Sequence, residues 1–459
     1  MSASTAVILA AGHGKRMRST LPKVLHRLAG RTMLAYVVAA VRGAGVGRVV
    51  VVVGHGADDV ERNLPAGAEA VRQVDQLGTA DAVLSARTLL QGDRATTDIV
   101  VAYGDCPLLT ESLFRDLIER RRQTGSSIAM AVSTAEDPRG YGRVRRDSDG
   151  LVRSIVEEAA ASPIDRKVRE INAGVYCFAA EWLWDALPLV QPSASSEYYL
   201  TDLIGMATRN GRSVQSVDAE LDVCSGVNDR VQLAQADRII RDRIRERLMI
   251  SGVTLIDPSA TYIDYDVVIG PDTVVYPGTT IEGSSAIGSG CLIGPNSRLV
   301  DSQIGDHVVI TQSMLDNATV LSGASVGPFS HLRPGAIIMA NAEIGNYAEV
   351  KQSTVGVGTK VHHFSYIGDA DIGDNVNVGA GTITCNYDAE TGTKSRTVVE
   401  RDASLGSDTL LIAPIRVGEG ALTGAGSVVT TDVAAGSLVV GVPARPVRQR
   451  RTRASTGVR

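Results

Sequence analysis

Three patterns of apolar and polar residues succeed one another along the chain. In the first, up to about Val227, continuous apolar runs alternate with stretches of helical period. AVILA (residues 6–10), VVVVV (49–53) and DIVVAYGD (98–105) are rich in β-branched residues without polar alternation, and predict strands buried on both faces. MLAYVVAAVRGAG (33–45) and ESLFRDLIERRRQTG (111–125) carry apolar residues with a period of about 3.6 and end at glycine, and predict helices. This alternation predicts an α/β fold with an open, mostly parallel, Rossmann-like sheet, whose ligands bind at the carboxyl ends of the strands.

The second pattern is VNDRVQLAQADRIIRDRIRERL (227–248). Val227, Val231, Ala234, Ile240, Ile244 and Leu248 follow helical spacing with Arg, Asp and Glu between them, which predicts one long half-solvated linker helix. The third pattern begins after Ser251. Ile269, Val275, Ile281, Ile287, Ile293 and Leu299 lie six residues apart. Val326, Leu332, Ile338, Ile344 and Val350 form a second phase, and Val361 with Ile367, then Ile372 with Val378, continue it with slips. A six-residue aliphatic repeat with small residues between is the signature of a parallel β-helix, one inward aliphatic per flat strand. The expected domains are therefore residues 1–230, a linker helix at 231–251, and a β-helix with a basic tail at 252–459.

Composition narrows the chemistry. The 47 glycines and 4% aromatics suit a turn-rich protein with a core of small β-branched residues. A net charge of -5 gives no sign of a nucleic-acid binder, so an anionic substrate would need locally placed cations. Five scattered cysteines without a CxxC predict free thiols and a cytoplasmic setting. MSASTAVILAAGHGKRM has no basic stretch before a long apolar core, so no secretory signal is expected, and no apolar run is long enough for a membrane span.

Two regions hold candidate chemistry. LAAGHGKRM (9–17) is a glycine turn after the first strand, with Lys15, Arg16 and Lys23 as nearby cations. It is neither a Walker A loop nor a clean GxGxxG, yet its exposed backbone N–H groups suit a polyphosphate. Asp105 closes a buried strand, where a carboxylate costs desolvation unless it meets a cation. In the repeat, KVHHFSYIGD (360–369) sets His362 and His363 side by side, outside the stack formed by Val361 and Ile367. Three readings are open for the pair: solvated surface residues, zinc ligands together with His307 and His331, or a general base.

LAAGHGKRM, LPKVLH, QLGTA, EYYLTD, HFSYIGDADIGDNVNVGAGTITCNYD and GSDTLLIAP, in this order, resemble the sugar-1-phosphate nucleotidyltransferases. With the repeat behind them, they resemble the bifunctional N-acetylglucosamine-1-phosphate uridyltransferase/glucosamine-1-phosphate N-acetyltransferase family. The resemblance runs from about Ala6 to Ala435. It implies synthesis of UDP-N-acetylglucosamine, a precursor for the peptidoglycan cell wall, from glucosamine 1-phosphate, acetyl-CoA and UTP. It also implies a left-handed coil, a homotrimer with acetyl sites shared between subunits, and no nucleic-acid or membrane partner.

On that resemblance Leu9, Ala10, Ala11, Gly12, Lys23, Gln73, Gly78, Thr79, Tyr103 and Gly104 line the nucleotide and sugar pocket. Gly142, Glu157 and Asn172 bind the sugar, and Asp105 and Asn228 hold Mg2+. Arg16 and Lys23 are candidates for the basic role on the phosphates. His363 aligns with the base of acetyl transfer, whereas His362 aligns with no required residue. Arg333, Lys351, Tyr366 and Asn377 align with sugar-phosphate ligands. Asn386, Tyr387, Lys394, Ser407 and Ala425 align with acetyl-CoA contacts. Two departures stand out. EEAAASP (157–163) replaces the Lys-Asp pair common in the family just after the glutamate. Val442 occupies the slot of an arginine on the cofactor, for which Arg445 is a substitute, and the basic tail after Arg445 is expected to be disordered. The alternatives are a single-activity nucleotidyltransferase with a structural β-helix, and a non-catalytic scaffold. The cluster of His363, Tyr366, Asn377, Asn386 and Tyr387 speaks against the first, because a structural coil has no need of it. Asp105 with Asn228 speaks against the second.

Overall fold

The computed structural model describes residues 3–449 except 91, 93, 94, 194 and 195. It divides into two compact units, Met1–Ile240 and Arg241–Arg459, with the division inside the helix Arg230–Ile250.

The first unit is built on a nine-stranded sheet. The three apolar runs read from the sequence are its central strands, Thr96–Tyr103, Ala3–Ala10 and Arg48–Val53, side by side and parallel. Glu170–Ala179 pairs antiparallel with Thr96–Tyr103 on one side and with Ile128–Thr134 on the other. Alternation of side chains across a strand explains the unbroken apolar runs. Val7 and Leu9 enter the core on one face, and Ala6, Ile8 and Ala10 enter a second core on the other. The helices Met33–Gly43 and Glu111–Thr124 cover the sheet, each started by a threonine hydroxyl that accepts from a backbone N–H, Thr32 from Ala35 and Thr110 from Leu113.

The second unit is a coil whose strands, up to its last two, are two or three residues long and stacked in parallel as three sheets. Most of the short strands turn one aliphatic inward. Val275, Ile281 and Ile287, six apart in sequence, belong to three different sheets. The slips in the repeat have a structural cause. From Leu299 to Ile304, Leu315 to Val320, Val350 to Val355 and Ile367 to Ile372 the step is five residues, and Asp301, Asn317, Gln352 and Asp369 turn those corners at positive φ of 45°, 45°, 45° and 49°. At these corners the left-handed residue stands two after the inward aliphatic, whereas at six-residue corners such as those of Asp272, His307 and Asn341 it stands three after. Asn and Asp tolerate that conformation best after glycine. The ladder runs on past Val378: Thr384 fills an inner slot, a loop at 386–396 leaves the coil, and Val399, Leu405, Leu411 and Val417 resume it.

Three expectations change. In the linker helix Val231 is exposed and Ala234 lies outside, while the buried stripe is Ala236, Ile240, Ile244 and Leu248, because the four-residue step back from Ile240 reaches Ala236. Its arginines are not all solvated. Arg245 is 8% exposed and donates to the Pro258 and Thr261 carbonyls at 2.6 and 3.4 Å, tying this half of the helix to the first coil. The tail is ordered further than expected: Ala444–Gln449 is a strand antiparallel to Ser437–Gly441. The remaining tail residues lie outside the described residues. Among the described residues no helix is long and apolar enough to cross a membrane.

Candidate active sites

In the first unit the strand Ala3–Ala10 ends in the glycine turn, which leads to the single turn Lys15–Met17. Gly14 sits at φ 59°, and a Cβ there would lie 2.8 Å from that of Lys23, so the close approach needs glycine. A cavity of about 310 Å3 opens at the carboxyl ends of the parallel strands. Leu9, Ala10, Ala11, Gly12, Lys23, Gln73, Gly78, Thr79, Tyr103 and Asp105 all line it. Gly104 is held beside it by its N–H, which donates to the Leu9 carbonyl at 2.9 Å.

The walls are bonded across distant segments. Gln73 donates to the Gly78 carbonyl at 3.0 Å and to Asp81 at 2.7 Å. The Thr79 hydroxyl accepts from Leu200 N–H at 2.9 Å. A Cβ at Gly78 would stand 2.5 Å from the Tyr198 carbonyl oxygen. The segment EYYLTD therefore forms a wall, with Glu197 and Tyr199 lining the cavity. The sequence reading quoted that string without giving its residues a role.

Gly142, Glu157 and Asn172 form a second cluster. Asn172 N–H donates to the Gly142 carbonyl at 2.9 Å, and a Cβ on Gly142 would lie 3.5 Å from the Glu157 carboxylate. The Thr201 hydroxyl donates to Glu157 at 2.7 Å, and the Asn172 amide donates to the Tyr176 phenol oxygen at 2.6 Å. Tyr103 joins the two clusters. Its burial, with the negative charges of Glu157 and Asp105 close by, pushes its phenol well up, so it stays a neutral donor. Glu158, where the sequence departs from the family, is committed elsewhere: it pairs with the buried Arg143 at 2.6 Å and accepts from Gly140 N–H at 3.1 Å. Arg16 is exposed on its turn and is not among the residues lining the cavity.

Asp105 and Asn228 stand side by side because Val227 N–H donates to the Asp105 carbonyl at 2.9 Å. The Lys23 ammonium bonds both, pairing with the Asp105 carboxylate and donating to Asn228 Oδ1 at 3.1 Å. Asn228 Nδ2 donates to the Gly226 carbonyl at 3.4 Å, which orients the amide oxygen toward Lys23. A carboxylate and an amide oxygen are hard donors and suit Mg2+, which keeps several waters and needs few protein ligands. Among the described residues no three or more His, Cys, Asp or Glu side chains gather as a metal site, the four histidines considered for zinc included.

In the second unit the candidate residues form two groups. Arg333 donates to Glu349 at 2.7 Å, and Glu349 sits between His331 and Tyr366 in the parallel register. The Lys351 ammonium lies against that of Lys394, which lowers its proton affinity. Asn386 donates to Asp369 and, at 3.4 Å, to the Tyr366 phenol. Gly368 makes room for that phenol, since a Cβ there would lie 2.3 Å from its oxygen. Tyr387 and Lys394 face each other across the loop that holds Asn386. Arg333, Lys351, Lys394, Tyr366 and Asn386 are thus one polar, cation-rich patch. Lys394, aligned with cofactor contacts, sits beside the residues aligned with the sugar phosphate.

The second group follows a corner of the coil. Val361, Val378 and Leu405 are in register, and Ser404 with Leu422 continues the rung. His363, Ala380, Ser407 and Ala425 each stand two residues after an inward residue of this column, so they form one ladder. Ala380, not among the residues expected from the sequence, holds the same place in the repeat as His363 and Ser407. Glu349 was also missed, because an outward glutamate on a short strand looks like any surface charge. His363 is exposed, and its ring meets that of His362 edge-on at 6.2 Å. Asn377 is in register with Lys360 and Ser404 in the same sheet as this column. His362 is not a bare surface residue, since its Nε2 bonds the Glu343 carboxylate at 2.7 Å.

A strand-end cavity with a glycine turn in one unit, and a coil of short strands with a laddered histidine in the other, define a nucleotidyltransferase fused to a hexapeptide-repeat transferase. Residues 6–191 match the MobA-like NTP transferase domain, and residues 266–300 match the bacterial transferase hexapeptide repeat. The bifunctional protein GlmU of Trichlorobacter lovleyi is 45% identical, and the match covers 96% of both chains. Those of Heliobacterium modesticaldum and of an Exiguobacterium species are 44% and 47% identical, over 96% and 95% of this chain and 96% of each relative. The chain belongs to the bifunctional GlmU family. It is a bifunctional enzyme of UDP-N-acetylglucosamine synthesis, with a uridyltransferase and an acetyltransferase activity.

Proposed function

We propose that residues 252–459 acetylate glucosamine 1-phosphate, and that residues 1–230 then couple the product to UTP, with 231–251 as the linking helix. In the first reaction His363 takes a proton from the substrate ammonium. The freed amine attacks the thioester carbon of acetyl-CoA, the C–S bond breaks, and the CoA thiolate takes up the proton that the new amide nitrogen loses. Arg333, Lys351 and Lys394 hold the sugar phosphate: two ammonium groups pressed together gain from an anion between them. Tyr366 and Asn377 bond sugar hydroxyls. Ser407 and Ala425 guide the cofactor along the corner ladder, with Ala380 between them and His363, and Asn386 and Tyr387 flank it. Arg445 is a candidate contact for the cofactor's phosphate.

In the second reaction the phosphate oxygen of N-acetylglucosamine 1-phosphate attacks the α-phosphorus of UTP, and the bond to the bridging oxygen breaks to release pyrophosphate. Leu9 to Gly12, Gln73, Gly78, Thr79, Tyr103 and Gly104 hold the nucleotide, and Gly142, Glu157 and Asn172 hold the sugar. Lys23 and Arg16 neutralise phosphate charge. Asp105 and Asn228 would hold Mg2+, which when bound supplies further neutralisation of the phosphates.

The enzyme works as a homotrimer of left-handed coils in the cytoplasm. The exposed rings of Phe329 and Tyr347 stack 5.3 Å apart, with Phe364 on the next rung, and leave an apolar edge beside His363 for a second subunit to cover. The observation that carries the reading of the first unit is the convergence of ten expected residues on one cavity. An assay with glucosamine 1-phosphate, acetyl-CoA, UTP and Mg2+ tests both halves, and should release CoA and pyrophosphate in sequence. Pyrophosphate release that requires added N-acetylglucosamine 1-phosphate, with no CoA release, would reduce the coil to a structural role.

A further inference from the structure

Lys23 is the cation that Asp105 and Asn228 hold in this structure. Its ammonium pairs with the Asp105 carboxylate and lies 3.1 Å from Asn228 Oδ1, and both carboxylate and ammonium are mostly buried, at 19% and 15% exposure. The other Asp105 oxygen accepts from a thiol, Cys106 Sγ at 3.7 Å. The three side chains are fixed from outside: Gly14 packs on the Lys23 stem, Val227 binds the Asp105 backbone, and Gly226 sets the Asn228 amide. A divalent ion and an ammonium cannot share the same two oxygens without strong repulsion at a half-buried site.

We propose that Lys23 is a built-in placeholder for the metal. It occupies Asp105 and Asn228 in the free enzyme, and a divalent cation must displace it to bind. Displacement frees the ammonium for a polyphosphate entering the cavity that Lys23 lines, so metal and nucleotide each make room for the other. The placeholder explains why a carboxylate at the end of a buried strand is tolerated before any ligand arrives: its desolvation is offset by a charge carried on the same chain. This inference rests on the assignment of Asp105 and Asn228 to the metal.

The test uses Mn2+ alone as probe, with the full chain and no nucleotide, and reads bound metal by electron paramagnetic resonance. Lys23→Gln should tighten Mn2+ binding by about tenfold or more, the scale on which one close charge moves an ionic equilibrium. Lys23→Arg keeps the charge and should leave binding as weak as in the parent, which also shows that tightening does not come from a disturbed fold. Adding Asp105→Asn to Lys23→Gln should abolish the gain. Unchanged or weaker binding in Lys23→Gln, while Asp105→Asn alone still lowers affinity, would overturn the placeholder and keep the metal site. If Asp105→Asn changes nothing in either background, both the metal assignment and the placeholder fall.

Discussion

The two units bury aliphatic side chains by opposite means, and the difference decides how each builds a site. In the first, strands of up to ten residues carry apolar side chains on both faces, so most of the site lies at or beyond their ends, with Asn172 an exception within a strand. Its site is consequently drawn from remote segments: Lys23 meets Asp105 and Asn228, Thr79 meets Leu200, and Glu157 meets Thr201. In the second, a strand of two or three residues typically spends one position on the core and leaves a neighbour outside. Its site is a column, with His363, Ala380, Ser407 and Ala425 at one repeat position. A site made of long-range bonds depends on the whole unit, and a site made of rungs depends on register.

The contrast can be broken most severely through the two reactions. Asp105→Ala should lower uridylyl transfer by roughly a thousandfold, the scale of several kcal/mol of lost charge neutralisation, and leave acetyl transfer within about twofold. His363→Ala should do the reverse, at roughly 10²–10⁴ in acetyl transfer, with pyrophosphate release unchanged. Separate assays of CoA and pyrophosphate check both, and loss of the two activities together in either variant would show that the units are not independent.

A smaller effect separates a buried ion partner from an exposed one. Arg143 is 1% exposed and holds the Glu158 carboxyl below the usual glutamate range by its hydrogen bond. A depressed carboxyl contributes stability above its unfolded value, about pH 4.3, and loses it as the pH falls through the lower folded value. Glu158→Gln should therefore lower the melting temperature at neutral pH, and the gap to the parent should narrow below about pH 4. A gap constant with pH would mean that the charge is not what stabilises the pair. At the small end, His362→Ala breaks a half-exposed bond to Glu343 and should cost about 0.2–1 kcal/mol in denaturant unfolding. Acetyl transfer in that variant should stay within about twofold of the parent; a loss matching His363→Ala would reassign the base.

Legibility in the sequence followed the same divide. The repeat was readable because each inward residue recurs at a fixed step, and its slips were visible but unexplained. Asp301, Asn317, Gln352 and Asp369 turn their corners one position earlier than Asp272, His307 and Asn341 do at six-residue corners, a shift that residue type alone does not announce. The ladder was lost after Val378 because Thr384, a polar residue, fills the next inner slot, where its hydroxyl accepts from Gly368 N–H at 2.7 Å. The central strands of the first unit were readable from their apolar runs. The partners of its site residues were not, since Tyr198, Leu200 and Thr201 lie more than forty residues from what they hold and no local pattern links them. The long helix was found with its stripe out of phase at the first two turns, where little is buried to fix the phase.

The loop at 386–396 leaves the coil at a corner and returns to it, while Asn377 stays paired with Ser404 and Ile383 with Leu410. Eleven residues of guest chain, a wall of the acetyl site among them, thus cost the stack no rung. Each remaining corner is a socket of the same kind, and a peptide grafted between two rungs away from His363 should be displayed on a scaffold whose register it does not disturb.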